Sequence, residues 1–123
     1  MTNSSNNKPV YDLEERTFLF AKNIRTVLRK LKKDFFNQDD IKQLIRSSGS
    51  VGANYIEANE SLSKKDFVHR VKISRKEAKE SIYWIKLLLA FSDNDEKKSL
   101  EVLFQEATEL KKILSSIIDK SQK

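Results

Sequence analysis

Cysteine is absent from this chain of 123 residues, and histidine occurs once, at His69. Without cysteine there are no disulfides, thiolate metal sites or cysteine nucleophiles, a composition that suits the reducing cytoplasm. A catalytic triad would need serine and aspartate partners around His69, and no nucleophile-elbow signature accompanies them. We therefore interpret His69 as a surface residue beside Arg70 and predict a non-enzymatic protein without a cofactor.

Glycine and proline are almost as scarce, because the chain has one proline and only two glycines, Gly49 and Gly52. So few turn residues disfavour β-hairpins and favour a largely helical chain. The longest apolar run, over residues 82–91, is interrupted by Lys86 and is too short to span a bilayer. Residues 1–8 are polar and lack the apolar core of a signal peptide. We expect a cytoplasmic protein without a membrane partner.

Apolar residues recur every three or four positions in four segments, which is the spacing of amphipathic helices. The segments predict helices over residues 13–36, 39–60, 64–91 and 95–119. Short connections between such helices imply antiparallel neighbours. The predicted fold is all-α, an up-down-up-down four-helix bundle over residues 11–120, with a disordered tail at 1–10 and a short tail at 121–123.

Both glycines lie inside the second predicted helix, in a run of small residues. A glycine in a helix interior costs about 1 kcal/mol relative to alanine, and close approach of another backbone is the usual reason for it. We interpret the run as a helix-packing motif formed by Gly49, Gly52, Ala53, Asn54 and Glu57. Asn59 is predicted to project toward the core, and Asn54, Glu57 and Asn59 are interpreted as hydrogen-bonding groups that fix the helix register.

The same segment resembles a known family. Ser50, Ala53, Asn54 and Glu57 match the pattern S-(I/V)-x-A-N-I-x-E of the four-helix-bundle 23S rRNA intervening-sequence proteins, and Ile56 lies one position after the isoleucine of that pattern. The sequence departs from that family directly after the pattern, where Ala58 and Asn59 replace a frequent Glu-Gly pair.

That resemblance implies more than a fold. Known members assemble as ring-shaped pentamers, so it implies a ring-like homo-oligomer. Some members are encoded within large-subunit rRNA genes, and others accompany the reverse transcriptases of diversity-generating retroelements. The resemblance therefore implies RNA or DNA, and a reverse transcriptase or another nucleic-acid enzyme, as partners.

Three large apolar residues of the third helix fall outside its predicted core-facing stripe: Trp84, Leu87 and Phe91. Exposed aromatic side chains of this kind are typical of interface cores. We predict self-association through these residues. The alternative is a core stripe that broadens near the end of the helix.

Positive charge is concentrated on the first and third helices of this chain, whose formal net charge is +6. One stripe on each helix is basic: Lys22, Arg25, Arg29 and Lys32 on the first, and Lys65, Lys72, Lys76 and Lys79 on the third. Like charges at this spacing repel, and the phosphates of RNA or DNA neutralise them with release of counterions. We predict a sequence-independent nucleic-acid-binding surface. The alternatives are a solvated helix face and a scaffold that docks an acidic protein.

Carboxylates also cluster, at Asp39-Asp40 and at residues 93–96. Both clusters lie at predicted helix starts, where acidic side chains cap backbone amides and complement the helix dipole, and neither has EF-hand spacing. Gly49 and Gly52 have the GxxG spacing of KH domains but no flanking strands. We predict no metal site, and a helical-bundle enzyme ranks third among the function classes.

Overall fold

The computed structural model describes residues 12–123 and contains four helices: α1, Leu13–Lys30; α2, Gln38–Asn59; α3, Lys64–Ala90; and α4, Asn94–Ser121. Each helix contacts the next one in the chain, and α4 also contacts α1. Within residues 12–123 no Cα atoms of the diagonal pairs, α1 with α3 and α2 with α4, lie within 8 Å of each other. The protein is an all-α, up-down-up-down four-helix bundle, as predicted. The predicted tail at 1–10 lies outside the described residues.

Side-chain caps begin three of the helices. Asp12 and Ser63 each accept a hydrogen bond from the backbone amide three residues later, at 3.2 and 3.1 Å. Asp93 and Glu96 form a reciprocal capping box at the start of α4. These side chains satisfy amides that the first helical turn leaves without partners, so the sequence itself specifies where the helices start.

The buried stripe of α4 follows the predicted alternation of three and four residues until its last member. Leu110, Leu114 and Ile118 are buried, whereas Ile117, which would continue the alternation three residues after Leu114, is half-buried. At about 100° per residue, a step of four from Leu114 leaves Ile118 about 40° off the stripe, and a step of three leaves Ile117 about 60° off. The helical period therefore favours Ile118.

The contact between α2 and α3 is the most extensive in the bundle and is built from small residues. The hydroxyls of Ser47 and Ser81 lie 2.9 Å apart, and Ser74 Oγ donates to the carbonyl of Val51 at 2.6 Å. All four residues are fully buried. Small side chains let the two helices approach closely, and each buried hydroxyl keeps a hydrogen-bond partner.

Helices α1 and α4 make the smallest contact, and we name this line of contact the α1–α4 seam. Arg16 forms a two-pronged ion pair with Glu106 across it, at 2.8 and 2.9 Å. Toward the other end, the amide of Lys32 donates to Glu96 Oε2 at 2.9 Å. Along the same seam, Val102 of α4 is 69% exposed. The seam is thus held by polar contacts while apolar surface beside it remains open.

The first helix ends at Lys30 rather than at residue 36, which corrects the prediction. Side chains take over the backbone hydrogen bonds of the segment that follows. Asp34 Oδ1 accepts from the amides of Phe36 and Asn37, at 2.8 and 3.0 Å, and Asn37 Nδ2 donates to the carbonyl of Lys32 at 3.0 Å. Local bonds of this kind compete with the helical ladder and end it.

The early end of α1 changes where its last predicted residues lie. Leu31 is buried, but Phe35, predicted as a core residue, is 83% exposed. Lys32, predicted on the basic stripe of the first helix, lies in the loop beyond α1. This end of the bundle therefore carries exposed aromatic side chains on the α1–α2 loop.

Candidate nucleic-acid interface

Lysines of the predicted α3 stripe line a groove between α3 and α4. Lys72, Lys76 and Lys79 are joined there by Arg75 of α3 and Lys111 of α4 in a depression of about 420 Å³. Ser115 is the remaining lining residue, so no carboxylate lines the depression. Two helices thus bring five cations to one concave surface.

The depression continues toward the start of α3. Lys64, Lys65 and His69 line a second one of about 640 Å³, which shares Lys72 with the first. We name the combined surface the basic groove and define it by Lys64, Lys65, Lys72, Arg75, Lys76, Lys79 and Lys111. The predicted residues Lys65, Lys72, Lys76 and Lys79 all lie on it.

Two of the three acidic residues of α3, Glu77 and Glu80, face α2 instead of the basic groove. Arg46 of α2 forms ion pairs with Glu77, at 3.3 Å, and with Glu80. The hydrogen bond from the indole N–H of Trp84 is the largest effect that holds the pKa of Glu80 below its ordinary value. Burial opposes this shift, and Arg46 and Lys76 add to it. Arg46 thus holds both carboxylates on the α2 side of α3.

The cations of the basic groove have few partners of their own. Within residues 12–123 none of them forms an ion pair, and Arg75 Nη1 lies 3.3 Å from the Ser115 hydroxyl, to which it donates. Lys72, Lys76 and Lys79 are exposed, and Lys111 is half-buried. A concave surface lined by charges of one sign concentrates its field and raises the local concentration of counter-ions.

Part of the basic stripe predicted on α1 stays together, because Arg25 and Arg29 line one depression of about 250 Å³ with Lys33 of the following loop. Arg25 points to α2, where its guanidinium donates to the carbonyl of Ile45 at 3.1 Å and to that of Ala21, on its own helix, at 3.0 Å. Lys22 and Arg29 remain exposed on α1. Arg25 thus also takes part in the contact between α1 and α2, and its role in binding stays a prediction.

The glycines of the packing motif face α1. A Cβ built at Gly52 would lie 2.9 Å from Thr17 Oγ1, and one built at Gly49 would lie 3.2 Å from Arg25 Nη2. Gly52 is buried. The close approach expected at the glycines therefore occurs with α1, whereas serines mediate the approach to α3.

The polar members of the motif lie toward the surface. Asn54 Nδ2 donates to the carbonyl of Ser50 on its own helix, and Glu57 is exposed, as is Ala53. Asn59, predicted to face the core, is exposed and donates to Glu14 Oε2 of α1 at 2.8 Å.

The buried position at this end of α2 is Ala58, which is 1% exposed. Asn59 follows it directly and, at about 100° further round the helix, points away from the core toward Glu14. The hydrogen bond between helices that was expected of Asn59 therefore forms at the surface.

The three residues predicted for self-association differ in their surroundings. Trp84 is half-buried, and its Nε1 donates to Glu80 Oε2 at 3.1 Å. Leu87 is half-buried, whereas Phe91 at the end of α3 is 89% exposed. Among them only Phe91 leaves a large apolar area in solvent.

Three cations of the basic groove were not among the predicted residues: Lys64, Arg75 and Lys111. A signal for Lys111 exists, because Lys111 and Ser115 are four residues apart and each follows a core residue, Leu110 or Leu114. That spacing places both on the margin of α4 that meets a neighbouring helix. Only the fold shows that this neighbouring helix is α3.

Within residues 12–123 no helix is long and apolar enough to cross a membrane. The same residues contain no group of three or more histidine, aspartate or glutamate side chains placed to hold a metal ion.

Comparison with known proteins points to one family. The family model described as 23S rRNA-intervening sequence protein matches residues 11–116. A solved structure of a protein of unknown function from the S23 ribosomal protein family of Bacteroides thetaiotaomicron is similar, with 32% sequence identity and a TM-score of 0.73. The similarity covers 87% of this chain and 98% of that one. A search of curated proteins found no match.

Proposed function

We propose that this chain, which belongs to the family of 23S rRNA-intervening sequence proteins, is a non-enzymatic, cytoplasmic accessory protein that binds the phosphate backbone of RNA or DNA. The basic groove is the binding surface. The observation that supports this assignment is the set of five cations, from two helices, in a depression without a carboxylate in its lining.

Electrostatic binding of this kind needs no base-reading module. Lysine and arginine side chains contact phosphates, fix the register of the bound strand and release its counterions. The two depressions share Lys72 in their lining and therefore adjoin. A phosphate backbone that contacts both would follow the basic groove along α3. Binding is therefore expected to depend strongly on salt and weakly on sequence.

The proposal includes self-association. One subunit offers a small number of phosphate contacts, and a homo-oligomer repeats them, so avidity can raise affinity without any new contact. We place the subunit contact at the α1–α4 seam, because Trp84 packs on the core of its own subunit and its indole N–H already donates to Glu80. Val27 of α1 and Val102 of α4 line a depression there, and Val102 is exposed.

The experiment is a salt titration of binding to a labelled RNA and a labelled DNA, with a matched pair of variants. The groove variant replaces Lys72, Lys76 and Lys79 with glutamine. The control variant replaces Lys42, Lys97 and Lys98 with glutamine. These three lysines are exposed but lie outside the basic groove, and their replacement removes the same amount of charge. The groove variant should bind more weakly and with a flatter dependence on salt, by about one unit of slope for each phosphate that is no longer neutralised.

Equal losses in the two variants would attribute binding to net charge and would contradict the groove assignment. If neither nucleic acid binds the wild type, the proposal fails. Polyglutamate then tests the scaffold alternative, in which the basic groove docks an acidic protein, and the groove variant alone should lose that binding.

A further inference from the structure

The end of the bundle that carries the α1–α2 and α3–α4 loops contains an apolar pocket of about 590 Å³. Its walls include Phe36 of the α1–α2 loop and Leu87 and Phe91 at the end of α3. Phe36 and Phe91 are 86% and 89% exposed. A concave, mostly apolar site of this size is of the kind that binds a ligand or a protruding side chain.

The rim of this pocket has the opposite charge to the rest of the chain. Asp34, Asp40, Asp93 and Glu96 line it, against a single cation, Lys32. Asp34, Asp93 and Glu96 accept hydrogen bonds from backbone amides. These bonds come from neutral groups and leave the negative charge in place. In a protein of formal net charge +6, this pocket is a local reversal of sign.

We infer that this pocket docks a basic segment of a partner protein that inserts an apolar side chain between Phe36 and Phe91. The apolar walls take the anchor, and the four carboxylates pair with lysine or arginine residues on either side of it. The same carboxylates repel phosphate, so nucleic acid is not the occupant. This inference does not rest on the proposed function of the basic groove.

Aromatic character strengthens the case for a cationic occupant. Lysine and arginine side chains are attracted to the faces of aromatic rings. Phe36 lines the pocket together with the carboxylates, and the ring of Phe35 lies beside it at a centroid distance of 5.4 Å. A neutral apolar segment would use only the walls. A basic segment would contact the apolar walls, the aromatic rings and the carboxylates of the rim.

The experiment measures fluorescence anisotropy with two labelled peptides. In one, phenylalanine and leucine alternate with lysine; its twin has glutamate at every lysine position. The variants are Phe91→Ser, which removes a wall, and Asp40→Asn, which removes a rim charge while keeping the shape. Phe18→Ser is the control, because Phe18 is 59% exposed on α1 and does not line the pocket.

The basic peptide should bind and its acidic twin should not. Phe91→Ser should weaken binding at least about tenfold, the size of a central apolar anchor. Asp40→Asn should weaken it less and flatten its salt dependence, and Phe18→Ser should leave it unchanged.

Three results would overturn the inference. The basic peptide fails to bind, or it binds Phe91→Ser as tightly as the wild type, or both peptides bind alike. The alternative occupant of the pocket is a second copy of this chain, because its α1 carries an apolar side chain, Phe18, one turn away from a cation, Lys22. Light scattering that shows an oligomer dissociated by Phe18→Ser and by Phe91→Ser alike would assign the pocket to that second copy instead.

Discussion

Gly52 of α2 lies directly against Thr17 of α1, and the space between them is too small for a methyl group. A Cβ at Gly52 would lie 2.9 Å from Thr17 Oγ1 and 3.2 Å from Thr17 Cβ. Thr17 is fully buried, and its hydroxyl donates to the carbonyls of Leu13 and Glu14 on its own helix. A short, β-branched side chain held in this way has little freedom to move aside.

Gly52→Leu should therefore lower the free energy of unfolding by about 1 to 3 kcal/mol through overpacking against α1. Gly52→Ala gains helix propensity but meets the same threonine, so it should be less stable than helix propensity alone predicts. Thr17→Ala combined with Gly52→Ala should restore part of the loss. Urea unfolding followed by circular dichroism measures all three, and unchanged stability in Gly52→Leu would remove the packing argument.

Gly49→Ala is the matched control within the same helix. The nearest atom to its new Cβ is the terminal Nη2 of Arg25, at 3.2 Å, on a long side chain that can shift by a few tenths of an ångström. The substitution should therefore show the gain of alanine over glycine in a helix, up to about 1 kcal/mol. A loss as large as that of Gly52→Ala would show that both glycines are sterically required.

The sequence predicts the helices well where the apolar periodicity and the capping residues agree. It fails where side-chain hydrogen bonds to the backbone end a helix although the apolar periodicity continues. Leu28, Leu31 and Phe35 continue a helical spacing, so the first helix was extended through them. The structure ends that helix because Asp34 and Asn37 satisfy the backbone of the loop. Aspartate side chains favour turns by accepting hydrogen bonds from nearby backbone amides, so Asp34 is the residue in the sequence that indicates an earlier end of this helix.

Lys111 provides a test of the basic groove from the side of α4. If a phosphate backbone lies in the groove, Lys111→Gln should reduce the salt slope by about one unit and weaken binding roughly eightfold at 0.1 M salt. Lys112→Gln is the control, because Lys112 is the next residue, is exposed, and pairs with Glu109 at 3.8 Å. The same titration of labelled RNA measures both, and equal slopes would restrict binding to α3.

The candidate site could be predicted only in part, since periodicity places residues on one helix but does not say which helices meet. The α3 stripe was found because its lysines share one helix. Arg25 was assigned to the surface, although it lies on the margin of α1 that meets α2. Lys111 was missed for the same reason, because its role depends on α4 lying beside α3.

The contact between Glu80 and Trp84 makes one part of the α2–α3 side sensitive to acid. The lowered pKa of Glu80 means that its carboxylate stabilises the fold above the ordinary value of 4.5, and that this contribution is lost as the pH falls through the lowered value. Glu80→Gln should therefore reduce stability at neutral pH and make it less dependent on pH below 4.5. Urea unfolding at pH 7 and in acid measures the change.

Trp84 provides a spectroscopic readout for that experiment, and Glu101 provides its control. Trp84 is the only tryptophan, so its fluorescence reports the indole that donates to Glu80. Glu101→Gln is the control, because Glu101 is exposed on α4. If both variants follow the wild-type dependence of stability on pH, the hydrogen bond from Trp84 does not hold Glu80 in its charged form.

The last prediction concerns self-association at the α1–α4 seam. Val102 is 69% exposed beside Val27, in the depression between α1 and α4, where these two helices have their smallest contact. A glutamate there would be buried without a partner if a second subunit covers it, a cost that disfavours association.

Val102→Glu should therefore convert an oligomer into a smaller species in multi-angle light scattering, while circular dichroism remains helical because the residue is outside the core. Avidity predicts that the same variant binds RNA more weakly, although its basic groove is unchanged. Glu101→Gln, one residue away and also exposed, should leave both the mass and the affinity as they are. A wild type that is monomeric at micromolar concentration would contradict the assembly, and an oligomer that Val102→Glu leaves intact would place its contact elsewhere on the bundle.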